Sequence, residues 1–98
     1  MPEPAHEARL HIRVKGRVQG VGFRAHVEHA ARQLGLMGWV RNVGYDVVEL
    51  VAEGEKPKLE RLVEAAKSGP RGSQVDESTI EWLDPTGEFE YFVVRRSV

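Results

Sequence analysis

The chain has 98 residues, 30% of them charged, with a formal net charge of −1 and no cysteine. That is one domain's worth of sequence without disulfides, thiol nucleophiles or cysteine-bound metals, and its near-neutral balance excludes bulk attraction to nucleic acid or to an anionic membrane. No stretch approaches the ~20 apolar residues of a membrane span, so the cytoplasm is the expected compartment.

Residues 1–8, MPEPAHEA, carry two prolines and no apolar run. They read as a flexible N-terminal arm rather than a signal peptide, with the domain proper at 9–98. Leu10, Ile12 and Val14 alternate with Arg9, His11, Arg13 and Lys15, which predicts a half-buried strand. GRVQGVGFR follows at 16–24. From Phe23, the apolar residues Phe23, Val27, Ala30, Ala31 and Leu34 fall on one helical face, and Gly35 is placed to end that helix. LMGWVRNV and VVELVAE predict two strands joined by a short hairpin turn around GYD. EKPKLERLVEAAKSGP predicts a second helix, with Pro57 in its first turn, a stripe of Leu59, Leu62, Val63 and Ala66, and Gly69–Pro70 as its stop. TIEWL and FEYFVV predict a fourth strand and a short fifth.

Strand, helix, strand, strand, helix, strand is the split βαβ order. It predicts an α+β, ferredoxin-like sandwich: an antiparallel sheet with both helices on one face and a short C-terminal strand added. A right-handed crossover makes the first two strands parallel, with the third between them. The glycine loop after the first strand and Asn42 at the end of the second then share one sheet edge, roughly 10 Å apart in backbone. Asn42 also has the parity of Leu36, Gly38 and Val40, the set assigned to the helix-covered face, so its side chain is expected to point toward the start of the first helix.

A glycine-rich turn feeding a helix aims several N–H groups in one direction, and the helix dipole adds positive potential there. Arg24 falls in the first turn of that helix. A cation there opposes the dipole, yet its fork suits phosphoryl oxygens. Two other readings compete with an anion site. The turn could be a tight connection and nothing more. GVGFRA also fits the dinucleotide pattern G-x-G-x-x-A. Against that pattern, the second strand lacks the acidic residue expected about 20 positions on, turns back in a hairpin, and sits in a chain too short for a doubly wound sheet.

With GRVQGVGFR and GWVRN both present, the chain resembles the acylphosphatases. Gly16–Arg24 matches that family's G-x-V-Q-G-V-G-F-R at every position, and GWVRNVGYDVVELVAEG, from Gly38 to Gly54, resembles its second signature. GPRGSQV, from Gly69, resembles a third and weaker feature. The resemblance covers roughly residues 9 to 97. One position departs: the family usually has glycine where Asp46 stands, which implies an altered turn geometry beside Asn42. The resemblance implies a metal-independent hydrolase, without cofactor, that cleaves the carboxyl–phosphate bond of small acyl phosphates and releases inorganic phosphate. It implies that the phosphoryl group is held by Arg24 and the backbone N–H groups of Gln19, Gly20, Val21, Gly22 and Phe23. It implies that Asn42 orients the attacking water. A non-catalytic phosphoryl-binding domain of the same fold is the second reading, as in the acylphosphatase-like segment of hydrogenase-maturation carbamoyltransferases.

The remaining residues suggest no other chemistry. His26 and His29 supply at most two metal ligands and read as exposed helix positions. Arg9, Arg13 and Lys15 could form a basic stripe, but Glu49 and Glu53 should lie beside them as cross-strand partners on an exposed face. An RNA-binding sheet of this topology would carry stacking aromatics on its first and third strands, and both lack them. Trp39, Trp82, Phe89 and Phe92 read as packing residues. The expected partner is a small acyl phosphate; no nucleic acid, membrane or metal is expected, and the chain is expected to be a monomer.

Overall fold

The computed structural model describes residues 6–98. Seven elements follow in the order β1 (Glu7–Arg17), α1 (Phe23–Gln33), β2 (Met37–Val43), β3 (Val47–Glu55), α2 (Lys56–Ser68), β4 (Gln74–Leu83) and β5 (Phe92–Val94). The strands form one sheet in the order β4-β1-β3-β2-β5. β3 lies between β1 and β2 and is antiparallel to both. This is the predicted split βαβ arrangement, with the first two strands parallel to each other.

β1 starts at Glu7, so Glu7 and Ala8 pair with Glu55 and Gly54 rather than belonging to the arm. Residues 1–5 of that arm lie outside the described residues. β4 begins five residues earlier than TIEWL.

The sheet is mixed, not wholly antiparallel, because β5 runs parallel to β2. The chain leaves β4 at the end of the sheet where β1 begins, since Arg9 pairs with Leu83. It crosses the helix-free face there, where Thr86 and Gly87 bond to Glu53 on β3. It then re-enters at the start of β2, with Phe92 opposite Gly38. A strand that returns at the same end of the sheet after crossing its width points along β2.

Strand alternation sorts the two faces. Leu10, Ile12 and Val14 of β1 pair with Ala52, Leu50 and Val48 of β3, and all six side chains are buried under the helices. α1 adds Phe23, Val27 and Ala31, and α2 adds Leu59, Leu62, Val63 and Ala66. α1 ends in a Schellman motif: Leu36 N–H bonds to Ala31 O at 2.9 Å and Gly35 N–H to Arg32 O at 3.1 Å. Phe23, only 2% exposed, is the first residue of α1. Burying a ring of this size stabilises by about 2–3 kcal/mol, which fixes the helix start, and the loop before it, against the sheet.

The helix-free face is less open than the alternation predicts. Glu49 and Glu53 are only 8% and 4% exposed. Arg41 holds Glu49 Oε1 through Nη2 at 2.8 Å and Nε at 2.9 Å, while His11 Nε2 reaches Oε2 at 2.7 Å and Arg13 lies 3.7 Å away. Glu53 accepts from Arg9 Nη1 at 2.8 Å, Thr86 Oγ1 at 2.9 Å, and the N–H groups of Thr86 and Gly87. The cross-strand pairs are therefore present, and the Arg9–Glu53 pair is in addition covered by residues 86–88. Burial pushes both carboxyls up, and the bonds they accept outweigh it, so both sit below the usual carboxylate range. Arg9 is raised in turn, chiefly by its bond to Glu88.

Trp39 and Phe92 are buried, as packing residues should be, and the guanidiniums of Arg41 and Arg95 each stack 4.8 Å from the Trp39 ring. Trp82 departs from that expectation: it is 39% exposed beside Lys56.

Candidate active site

Between β1 and α1 the chain makes a tight turn anchored at both ends by the core. Val18 is fully buried and Phe23 nearly so. Gly20 and Gly22 adopt φ of 74° and 79°, a left-handed conformation that costs other residues roughly 1–2 kcal/mol. Gly22 is the N-cap of α1, and among the described residues no side chain caps it and no acidic residue stands in the first turn. The first intrahelical bond runs from His26 N–H to Gly22 O, so the amides before it lack helical partners. Arg24 projects from this same turn.

Asn42 approaches from β2. It pairs with Val48 and has the parity of the buried Val40, which turns it to the helix side as predicted. The loop, Arg24 and Asn42 line one cleft of about 290 Å³ together with Val18, Ala25 and Val94. That is small even for a ligand pocket, suited to a phosphoryl group carrying a short substituent. Among the described residues, Arg24 is the one charged side chain lining it. Its nearest polar partner is the Arg95 carbonyl, 3.5 Å from Nη1, a distance too long for a strong bond.

Of the predicted site residues, Gln19, Gly20, Gly22, Phe23, Arg24 and Asn42 come together at this cleft. Val21 does not line it; its side chain is half-buried against the core. Val94 is a wall residue that the sequence reading missed. Its strand pairs with β2 across some fifty residues, and a three-residue strand carries no usable periodicity.

Asp46 stands in the turn beside Asn42 without backbone strain. Gly44 alone takes a positive φ there, 60°, whereas Asp46 does not, so no glycine is needed at 46. The Asp46 carbonyl accepts from Gly16 N–H at 2.9 Å, which joins the hairpin to the end of β1.

The histidines contribute little. His29 is exposed as expected, but His26 is not: its Nε2 lies 3.2 Å from Ala65 O on α2, where it can donate, and its ring meets Phe23 edge-on. Among the described residues, no group of three His, Asp or Glu side chains could hold a metal ion. No helix among them is long and apolar enough to cross a membrane.

The acylphosphatase family model matches residues 10–94, nearly the whole described chain. The chain belongs to the acylphosphatase family. A Salinibacter ruber acylphosphatase is 46% identical over 94 residues, spanning 96% of this chain and 99% of the relative. The crystal structure of a Bacillus subtilis acylphosphatase superposes with a TM-score of 0.86 at 36% identity, covering 90% of this chain and 98% of that one. Full-length HypF, in a phosphate- and nucleotide-bound form, contains a similar segment: TM-score 0.85 and 26% identity over 99% of this chain but 13% of HypF. As an acylphosphatase, the protein is a hydrolase acting on acyl phosphates, and its product is phosphate.

Proposed function

We propose that the cleft performs this hydrolysis with two separable sets of groups. Arg24 and the amides of residues 19–23 hold the phosphoryl group, and Asn42 holds the water. The observation that carries the reading is the convergence of an uncompensated guanidinium, an uncapped helix start and one carboxamide on a single small cleft.

Phosphoryl transfer requires positioning and charge neutralisation more than covalent help. Amides and a guanidinium aimed at the equatorial oxygens stabilise that charge without reorganising. Asn42 is not basic. Its Oδ1 accepts one hydrogen bond from water and fixes the approach in line with the scissile bond. Water oxygen then bonds to phosphorus as the bridging P–O bond breaks. The carboxylate departs with the bonding pair, and the water proton passes to a phosphate oxygen. An acyl phosphate is already an activated anhydride, so these few groups suffice. The walls formed by Val18, Ala25 and Val94 offer apolar contact to a short acyl chain. The enzyme acts as a cytoplasmic monomer that needs no metal, nucleic acid or membrane.

Steady-state hydrolysis of benzoyl phosphate tests the division of roles. Asn42→Ala lowers kcat by about 100-fold while the inhibition constant of inorganic phosphate stays within about threefold. Turnover near the wild-type value in Asn42→Ala overturns the water-holding role. Chelator treatment leaves the wild-type rate unchanged; a strict metal requirement overturns the metal-free reading. The same assay separates this reading from phosphoryl binding without turnover.

A further inference from the structure

Gln19 divides between two tasks. Its backbone belongs to the cleft, while its side-chain amide bonds to the hairpin that carries Asn42. Nε2 lies 3.0 Å from Val47 O, 3.2 Å from Gly44 O and 3.3 Å from Val43 O. All three partners are carbonyl oxygens, which only accept, so the nitrogen of the amide must face them. Its two hydrogens serve three acceptors, and at least one of the bonds is shared. The acceptors are the last residue of β2, the first of β3 and the first residue of the turn between them. Val43 directly follows Asn42.

The loop and Asn42, the two halves of the cleft, are separated in sequence by the whole of α1, and few bonds join them. Gly16 N–H to Asp46 O ties the base of the loop to the turn. Further along the loop, the Gln19 side chain makes all three of its hydrogen bonds to the hairpin and none to the loop itself. We propose that Gln19 is a positioning residue: its side chain sets the distance between the phosphoryl cradle and Asn42, and so the line along which water meets phosphorus. The inference rests on the water-holding role of Asn42 proposed above. In-line geometry is unforgiving, and a displacement of about 1 Å lowers rates by up to about 100-fold. The cradle has anchors of its own besides these bonds, the buried Val18 and Phe23 at its two ends.

A double-mutant cycle tests this with benzoyl phosphate as substrate and inorganic phosphate as inhibitor. The variants are Gln19→Met, which matches the length and lacks a donor, Asn42→Ala, and the pair combined. Gln19→Asn, which keeps the donors but falls one methylene short, stands in should the Met variant fail to fold by circular dichroism. The expected result is a kcat loss of about tenfold for the Gln19 variant, with the phosphate inhibition constant within about threefold. In the Asn42→Ala background the same change costs less than about twofold, because nothing remains to be positioned. An equal loss in both backgrounds overturns the inference, as does phosphate affinity falling in step with kcat, or an unchanged kcat in the single variant. A near-normal kcat in Asn42→Ala alone instead overturns the reading on which it rests. An inactive Asn42→Ala beside a fully active Gln19→Met overturns the positioning role only.

Discussion

Arg41 in β2 and Arg24 in the first turn of α1 are both half-buried, yet their surroundings are opposite. Arg41 is gripped by the buried Glu49 at two nitrogens and stacked on Trp39. Arg24 has, among the described residues, no carboxylate within ion-pair distance and only a distant carbonyl. Arg9 and Arg13 resemble Arg41, since each meets a glutamate of β3. An arginine that serves the fold arrives with its counter-charge on the neighbouring strand. The arginine of the cleft has no such counter-charge among the described residues, the place that the proposed reading gives to the phosphoryl group, and it stands at a helix start where it works against the dipole.

Arg24→Ala gives the largest effect expected from this contrast. It lowers kcat/KM for benzoyl phosphate by about 1000-fold, the loss of a charge-assisted fork at the reacting group, and it weakens phosphate inhibition. The same change raises stability by about 0.3–1 kcal/mol by removing a cation from the helix N-terminus, seen as a higher urea midpoint. Arg13→Ala, made as the matched control, leaves kcat/KM within about twofold; a comparable loss there breaks the contrast.

Glu53→Ala reverses the pattern. Removing this buried carboxylate leaves the N–H groups of Thr86 and Gly87 without their acceptor and strips Arg9 of one of its two glutamates; it costs about 3 kcal/mol of stability, read from urea unfolding, while kcat of the folded enzyme at 25 °C is unchanged.

The smallest effect is with pH. Glu49 and Glu53 sit below the usual carboxylate range when folded. Their stabilisation is therefore complete above the unfolded value, about 4.3, and is lost as pH falls through the lower folded-state values. The urea midpoint declines through that acid window, and it declines less steeply in Glu53→Gln. An unchanged slope in that variant would show that the carboxyl contributes nothing to acid unfolding.

Most of the fold was legible because β1 and the two helices bury one face each, and burial of one face writes a period into the sequence; β3, buried on both faces, reads as a continuous apolar run broken by its two glutamates. Leu10, Ile12 and Val14, or Leu59, Leu62, Val63 and Ala66, could be placed without coordinates. β4 was harder. At the sheet edge, Val75 is the one apolar residue of Gln74–Ser78 and packs against the core, and a single apolar position among polar ones carries no alternation. The direction of β5 depended on a crossing over the far face, which leaves no local trace.

In the cleft, Arg24 and Asn42 were legible through residue type and shared edge. The bonds of Gln19 were not, since a glutamine in a loop has many carbonyls within reach and no pattern selects three of them. The burial of Glu53 escaped for a similar reason: the groups that cover it come from residues 86 and 87, far along the chain, whereas Glu49 is covered by Arg41, His11 and Arg13 on the neighbouring strands.

β1 is the first strand to be synthesised, yet one of its neighbours is β4, with Arg9 beside Leu83, and the cleft takes its last wall from Val94. Nothing made early can close on itself. Topologies dominated by such distant pairings fold over about milliseconds to seconds, slower than helical bundles of similar size. A nascent chain that has already emerged as far as Asn42 thus has nearly every group of the cleft in hand and still lacks the cleft. The cleft is complete only when the trailing segment lies along β2 and brings Val94 to it.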